Sequence, residues 1–286
     1  ITPAALALAA CVLACGTVLA VHSSDPAAPA PAPSSAPATQ PASAPTPAAP
    51  VHSAVTPAPR PDPWWSQRHE AFNARARDIA SRGDIDVVFL GDSITEGWGG
   101  PGKSAWATRF TGQPAGERTT PRAVNFGIGG DRTQHVLWRI QHGNLDGLAT
   151  PSAGTPPRLV VLMIGTNNSN GADNTGEEIG DGIVACVRAI RAKLPEARVL
   201  LLAIFPRGEQ PNPQRDKNAL ASTRARDALA ADARVRFLDI GDKFLQADGT
   251  LPRDIMPDAL HLSPKGYEIW ADAVAPVIDE MLADTK

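Results

Sequence analysis

Five short apolar runs recur along the second two-thirds of the chain, separated by longer stretches of mixed polarity. The first is Val87-Val88-Phe89-Leu90, ended by Gly91 and Asp92. The others cover residues 123–128, 159–164, 199–205 and 235–240. Short runs rich in β-branched and aromatic residues predict strands. Their near-continuous apolar character predicts burial on both faces, as in a parallel sheet. Between them the spacing predicts helices over 62–80, 177–193, 214–233 and 264–283, and one through Val136, Leu137 and Ile140 that Asp131 or Thr133 would cap. A glycine-bearing loop after Thr95 leads to a short helix near Trp106, and 112–120 and 243–259 read as loops. Strands alternating with helices predict an α/β fold, a doubly wound five-stranded parallel sheet with helices on both faces. In such sheets ligands sit at the C-terminal ends of the strands.

Composition changes the picture at the N-terminus. Residues 3–21 are almost all small or apolar, which suits a signal for export with an N-terminal segment of residues 1–22. Leu8-Ala9-Ala10-Cys11 resembles a lipoprotein lipobox, and the stretch around Cys15 is a weaker match. A lipidated Cys11 or Cys15 would anchor an exported protein, periplasmic or extracellular, to a membrane. An uncleaved anchor helix is the other reading. Residues 23–63 are dominated by Ala, Pro and Ser and read as a disordered tether or a plain spacer, reaching on the order of 100 Å if extended. The folded domain is then expected over 64–286. Cys186, in a helical pattern, is expected to be a small core residue. A net charge of -3 gives no sign of a nucleic-acid partner.

The candidate chemistry lies at strand ends. Ser93 stands at the turn from the first strand into a helix, where it either acts as a nucleophile or caps that helix. Gly129-Gly130 follows the second strand and would leave backbone N–H groups open. Asn167 follows the third and can donate into a cleft or make a turn. Asp258 and His261 lie close together near the C-terminus, in the chain order Ser, Asp, His that serine hydrolases on α/β sheets use. Asp92, Trp98 and Asn168 flank these residues and are candidates for contact with substrate, although Trp98 equally suits a packing role. No His-Glu-x-x-His run or phosphate loop is present, and no metal or organic cofactor is implied.

Gly91-Asp92-Ser93, Gly130, Gly165-Thr166-Asn167-Asn168 and Asp258-x-x-His261 resemble the four blocks of the SGNH (GDSL) hydrolase superfamily. The runs 125–131, 135–139 and 206–209 look most like its platelet-activating-factor acetylhydrolase catalytic-subunit branch. The resemblance implies a flavodoxin-like three-layer sandwich. It also implies Ser93 as nucleophile, an oxyanion hole of the Ser93 and Gly130 N–H groups with the Asn167 side chain, and Asp258 and His261 completing a triad. The resembled subunits dimerise, so a homodimer is an expectation of the same kind. The function expected is serine esterase action on short acyl, chiefly acetyl, esters, with a carbohydrate as the leading alcohol. Lipid or aryl esters, an O-acetyltransferase and a non-catalytic glycan-binding module are the alternatives.

Overall fold

The computed structural model describes residues 51–115 and 118–283. The export signal, Cys11, Cys15 and most of the expected tether lie outside the described residues. Strand β1 (Val87–Gly91) is followed by α2 (Ser93–Glu96) and α3 (Lys103–Arg109). The 112–120 segment carries a two-residue antiparallel ladder, β2 (Pro114–Ala115) and β3 (Arg118–Thr119), where a loop was expected. Then come β4 (Ala123–Gly127), α4 (Thr133–Gln141), β5 (Leu159–Met163), α5 (Gly176–Lys193), β6 (Arg198–Leu202), α6 (Pro213–Leu229), β7 (Val235–Leu238) and α7 (Pro264–Ala283). Helix α1 (Pro63–Arg82) precedes the sheet, with proline in its first turn and Gly83 closing it in the left-handed conformation.

The sheet order is β4-β1-β5-β6-β7, and every pairing is parallel. Counted along the chain this is the 2-1-3-4-5 order of a flavodoxin-like fold. The chain leaves β1 on both sides of the sheet order, so the crevice beside its C-terminal end is the topological switch point. The period of two along each strand sorts the core into two layers. Val88, Leu90, Phe126, Val160, Leu162 and Leu201 face α1, α4, α5 and α6. Val87, Phe89, Val161, Met163 and Leu200 face α3 and α7, where Trp270, Val274 and Ile278 pack. Cys186 is fully buried on the first side, as expected of a core residue.

Two boundaries differ from the sequence-based expectation. Residues 51–63, assigned to the tether, lie against the domain. Ala54 is fully buried, its carbonyl accepts from the Thr133 hydroxyl at 2.8 Å, and Asn174 donates to the Ser53 hydroxyl at 3.0 Å. A side chain at Gly182 would come within 2.7 Å of the Ala54 carbonyl, so the bare helix backbone makes room for this strap. An Ala/Pro-rich stretch cannot build a core alone, but it can lie on one already made. Helix α4 is capped at Arg132, whose N–H donates to His135 Nδ1, and not at Asp131 or Thr133.

Asp131 is instead buried, and so is its partner Arg139. Arg139 Nε donates to Asp131 Oδ2 at 2.8 Å, and its other nitrogens reach the Phe126 carbonyl, the Gly91 carbonyl and Asn144 Oδ1. Trp65 Nε1 donates to the second Asp131 oxygen at 2.6 Å. Breaking such a pair leaves one charge buried without its partner. Arg139→Met is expected to lower stability by about 3–5 kcal/mol in urea denaturation, and the double variant Asp131→Leu/Arg139→Met to recover part of that loss.

Candidate active site

Three strand ends and one loop build the site. Gly91 closes β1, where a side chain would strike the Met163 carbonyl at 2.4 Å. Asp92 then caps α2, accepting from the Ile94 N–H at 3.0 Å, and Ser93 is the first helical residue. Ser93 Oγ lies 2.9 Å from His261 Nε2. The other ring nitrogen, Nδ1, lies 2.7 Å from Asp258 Oδ2. Asp258 Oδ1 accepts from the backbone N–H groups of Leu260 and His261. Partial burial would raise the Asp258 pKa, but its bonds from the His261 ring and backbone outweigh this and hold it below the ordinary carboxylate range. A charged Asp258 needs Nδ1–H as donor, which leaves Nε2 with its lone pair toward the Ser93 hydroxyl.

Ala259, between Asp258 and His261, has φ 58°, the one non-glycine in the left-handed region among the described residues. The strain is of order 1 kcal/mol. It is held by the Gly208 N–H, which donates to the Ala259 carbonyl, and by the Ala259 N–H, which donates to Met256.

Beside Ser93 lies the turn Ile128-Gly129-Gly130-Asp131. A side chain at Gly129 would sit 3.7 Å from Ser93 Cβ. The Gly129 N–H donates to Glu96 Oε2, the Gly129 carbonyl accepts from Arg60 Nη1, and the Asp131 N–H returns to the Ile128 carbonyl. Asn167, beyond β5, donates one side-chain N–H to the Asp131 carbonyl at 2.8 Å, and its amide has a second N–H. Arg207 braces this corner through the Thr166 carbonyl, the Thr166 hydroxyl and Asn170 Oδ1.

The structure therefore links Ser93, His261 and Asp258 directly, and joins Asn167 by a hydrogen bond to the neighbouring turn that carries Gly130. It places the other three candidates in the interior. Trp98 is buried, 4.7 Å from the Trp270 ring and 4.8 Å from Tyr267. Asn168 is buried and spent on Thr133, Gln134 and Asn174. Asp92 is buried with Oδ2 unpartnered. Nearness in sequence to Ser93 or Asn167 does not say which way a side chain turns, and these turn inward. Sequence reasoning missed Arg60, Glu96 and Arg139. Arg60 was hidden in the Ala/Pro-rich stretch, and a buried arginine has no signature in composition.

The GDSL-like lipase/acylhydrolase family model matches residues 89–269. The chain belongs to this family. The GDSL protein is 36% identical over 222 residues to platelet-activating factor acetylhydrolase IB subunit alpha1 of Homo sapiens, covering 78% of this chain and 86% of the relative. Its fold matches a GDSL-like lipase from Bacteroides thetaiotaomicron with a TM-score of 0.57 at 21% identity, covering 74% and 97% of the two chains. It also matches an acetyl xylan esterase, AlAXEase, with a TM-score of 0.53 at 22% identity, covering 68% and 99%. The GDSL protein is a carboxylic ester hydrolase.

Buried titratable groups around the site give a pH signature. Burial pushes the Asp92 carboxyl up to about 7, with Asp131 adding to the rise. Burial pushes His69 and His135 down to about 4, helped by nearby arginines. The two histidines bind fewer protons folded than unfolded, so the stability they confer falls as pH drops from about 6.5 to about 4. Asp92 binds more protons folded, so its contribution grows as pH drops from about 7. The two effects oppose each other in the GDSL protein. Asp92→Asn removes the compensating one, and its urea midpoint should fall more steeply between pH 7 and pH 5 than that of the parent protein.

Proposed function

We propose that this GDSL hydrolase removes short acyl groups, acetyl foremost, from a carbohydrate through an acyl-enzyme on Ser93. The observation that carries this reading is the unbroken chain of hydrogen bonds from Ser93 Oγ through His261 to Asp258. His261 Nε2 takes the hydroxyl proton as Ser93 Oγ attacks the ester carbonyl. Asp258 holds the imidazole in the right tautomer and stabilises its cation. The carbonyl oxygen gains negative charge, which the Ser93 and Gly130 N–H groups and the second Asn167 N–H stabilise. His261 then returns the proton to the leaving alcohol. Water, activated by the same imidazole, attacks the acyl-serine and releases the acid.

Support for acetyl comes from the relatives' names, an acetylhydrolase in sequence and an acetyl xylan esterase in fold. Support for a bulky hydrophilic alcohol comes from the site itself, since the His261 and Asp258 side chains are 46% and 56% exposed.

The test is a series of p-nitrophenyl esters from acetate to decanoate, followed by acetylated xylan oligosaccharides and, by mass spectrometry, a search for acetyl transfer to a sugar acceptor. The expected result is a kcat/KM highest for acetate, with free acetate as the product from the oligosaccharide. A preference for long acyl chains would move the assignment to lipid esters, and a transfer product would make the protein an acetyltransferase. Ser93→Ala should abolish turnover without shifting the unfolding midpoint, and Asn167→Ala should lower kcat by roughly 10²–10³-fold. Most of the activity surviving in Ser93→Ala would overturn the mechanism.

A further inference from the structure

The strap that precedes α1 ends at the active-site turn, and it lies outside the 89–269 span of the family match. Ile128-Gly129-Gly130-Asp131 is a β-turn closed by the Asp131 N–H on the Ile128 carbonyl at 3.2 Å. Of its two central residues only Gly130 has positive φ, 76°, which makes the turn type II. Types I and II differ by a flip of the central peptide, here the one joining Gly129 to Gly130. In that flip ψ of the first central residue moves from about +120° to about −30°, and φ of the second from about +80° to about −90°. Both central residues are glycines, which meet no side-chain obstacle to it.

That peptide has two ends. One is the Gly129 carbonyl and the other is the Gly130 N–H, pointing the opposite way across a trans amide. Each neighbouring contact fixes a different peptide. Glu96 holds the Gly129 N–H, on the plane before. Asn167 holds the Asp131 carbonyl, on the plane after the next one. Among the described residues the sole hydrogen bond to the central plane comes from Arg60, whose Nη1 donates to the Gly129 carbonyl at 2.7 Å. Arg60 is itself held, by Asp62 at 2.9 Å and by the face of the Trp64 ring 4.9 Å away, and its side chain is 19% exposed.

We propose that Arg60 is a positioning residue that keeps the Gly129–Gly130 peptide in its type II orientation and so aims the Gly130 N–H at the reacting carbonyl oxygen. The inference rests on the reading of that N–H as an oxyanion donor. Loss of Arg60 lets the plane turn over, which replaces a donor in the cleft with a carbonyl oxygen that repels the oxyanion. The guanidinium also draws charge from the carbonyl, which makes the opposite N–H a stronger donor. The strap is thus part of the catalytic device, although its composition resembles that of a linker.

The experiment compares the full chain with Arg60→Ala and Arg60→Lys on p-nitrophenyl acetate, with fluorophosphonate labelling of Ser93 and urea unfolding run in parallel. Arg60→Ala should lower kcat by about 10–10²-fold, less than outright removal of an oxyanion donor. Its KM should stay within about twofold and its unfolding midpoint should hold. Arg60→Lys should recover part of the loss, since an ammonium can also donate to the carbonyl. Added ethylguanidinium should partly restore Arg60→Ala while leaving Asn167→Ala unchanged. A folded Arg60→Ala with parental kcat overturns the proposal. So does an activity loss that tracks a fallen unfolding midpoint and resists ethylguanidinium. A parent protein that hydrolyses no ester and takes no fluorophosphonate label overturns the functional reading instead.

Discussion

The buried Asp131–Arg139 ion pair sets the geometry on which the site depends. Both side chains are fully removed from solvent, so the pair is sustained only because nearly every donor and acceptor on it is used. The guanidinium reaches the Gly91 carbonyl at the end of β1, two residues before Ser93, and the Phe126 carbonyl at the end of β4, four residues before Gly130. Asp131 itself ends the turn that carries Gly130. The serine and the neighbouring turn are therefore referenced to one rigid planar group. Lysine could not do this, because a single ammonium cannot hold three separated acceptors in a plane.

The sheet was legible in the sequence because a parallel strand buried on both faces must be apolar throughout. Each of the five runs became a strand, with the starts agreeing to within a residue. The cluster was legible for a related reason. Parallel strands deliver their C-terminal ends to one edge, so residues just past Gly91, Gly127 and Ile164 had to be neighbours. What was hidden is which way a side chain turns once the strand has ended. Trp98 is drawn inward by Tyr267 and Trp270 of α7, more than 160 residues further along the chain. Asn168 is drawn inward by Thr133 and Gln134 at the start of α4. Asp131 looked like a helix cap, but its real partners, Trp65 and Arg139, come from two different helices.

The strap was hidden by a different effect. Composition measures how much apolar mass a segment could bury against itself. It says nothing about a segment that borrows an existing surface, as Ala54 does at Gly182. The same borrowing brings Arg60 to the Gly129 carbonyl across 69 positions of sequence.

The half-exposed imidazole of His261 has a kinetic consequence. Both of its ring nitrogens are engaged, Nε2 on Ser93 and Nδ1 on Asp258, while nearly half of the side chain faces solvent. An ester bound at Ser93 would lie beside open solvent on that side. Any alcohol that competes with water there does so through bound proximity, on the scale of effective molarities that oriented reactants reach. How well a second alcohol is held beside the serine, and not the exposure of the imidazole, therefore sets which acceptor is used.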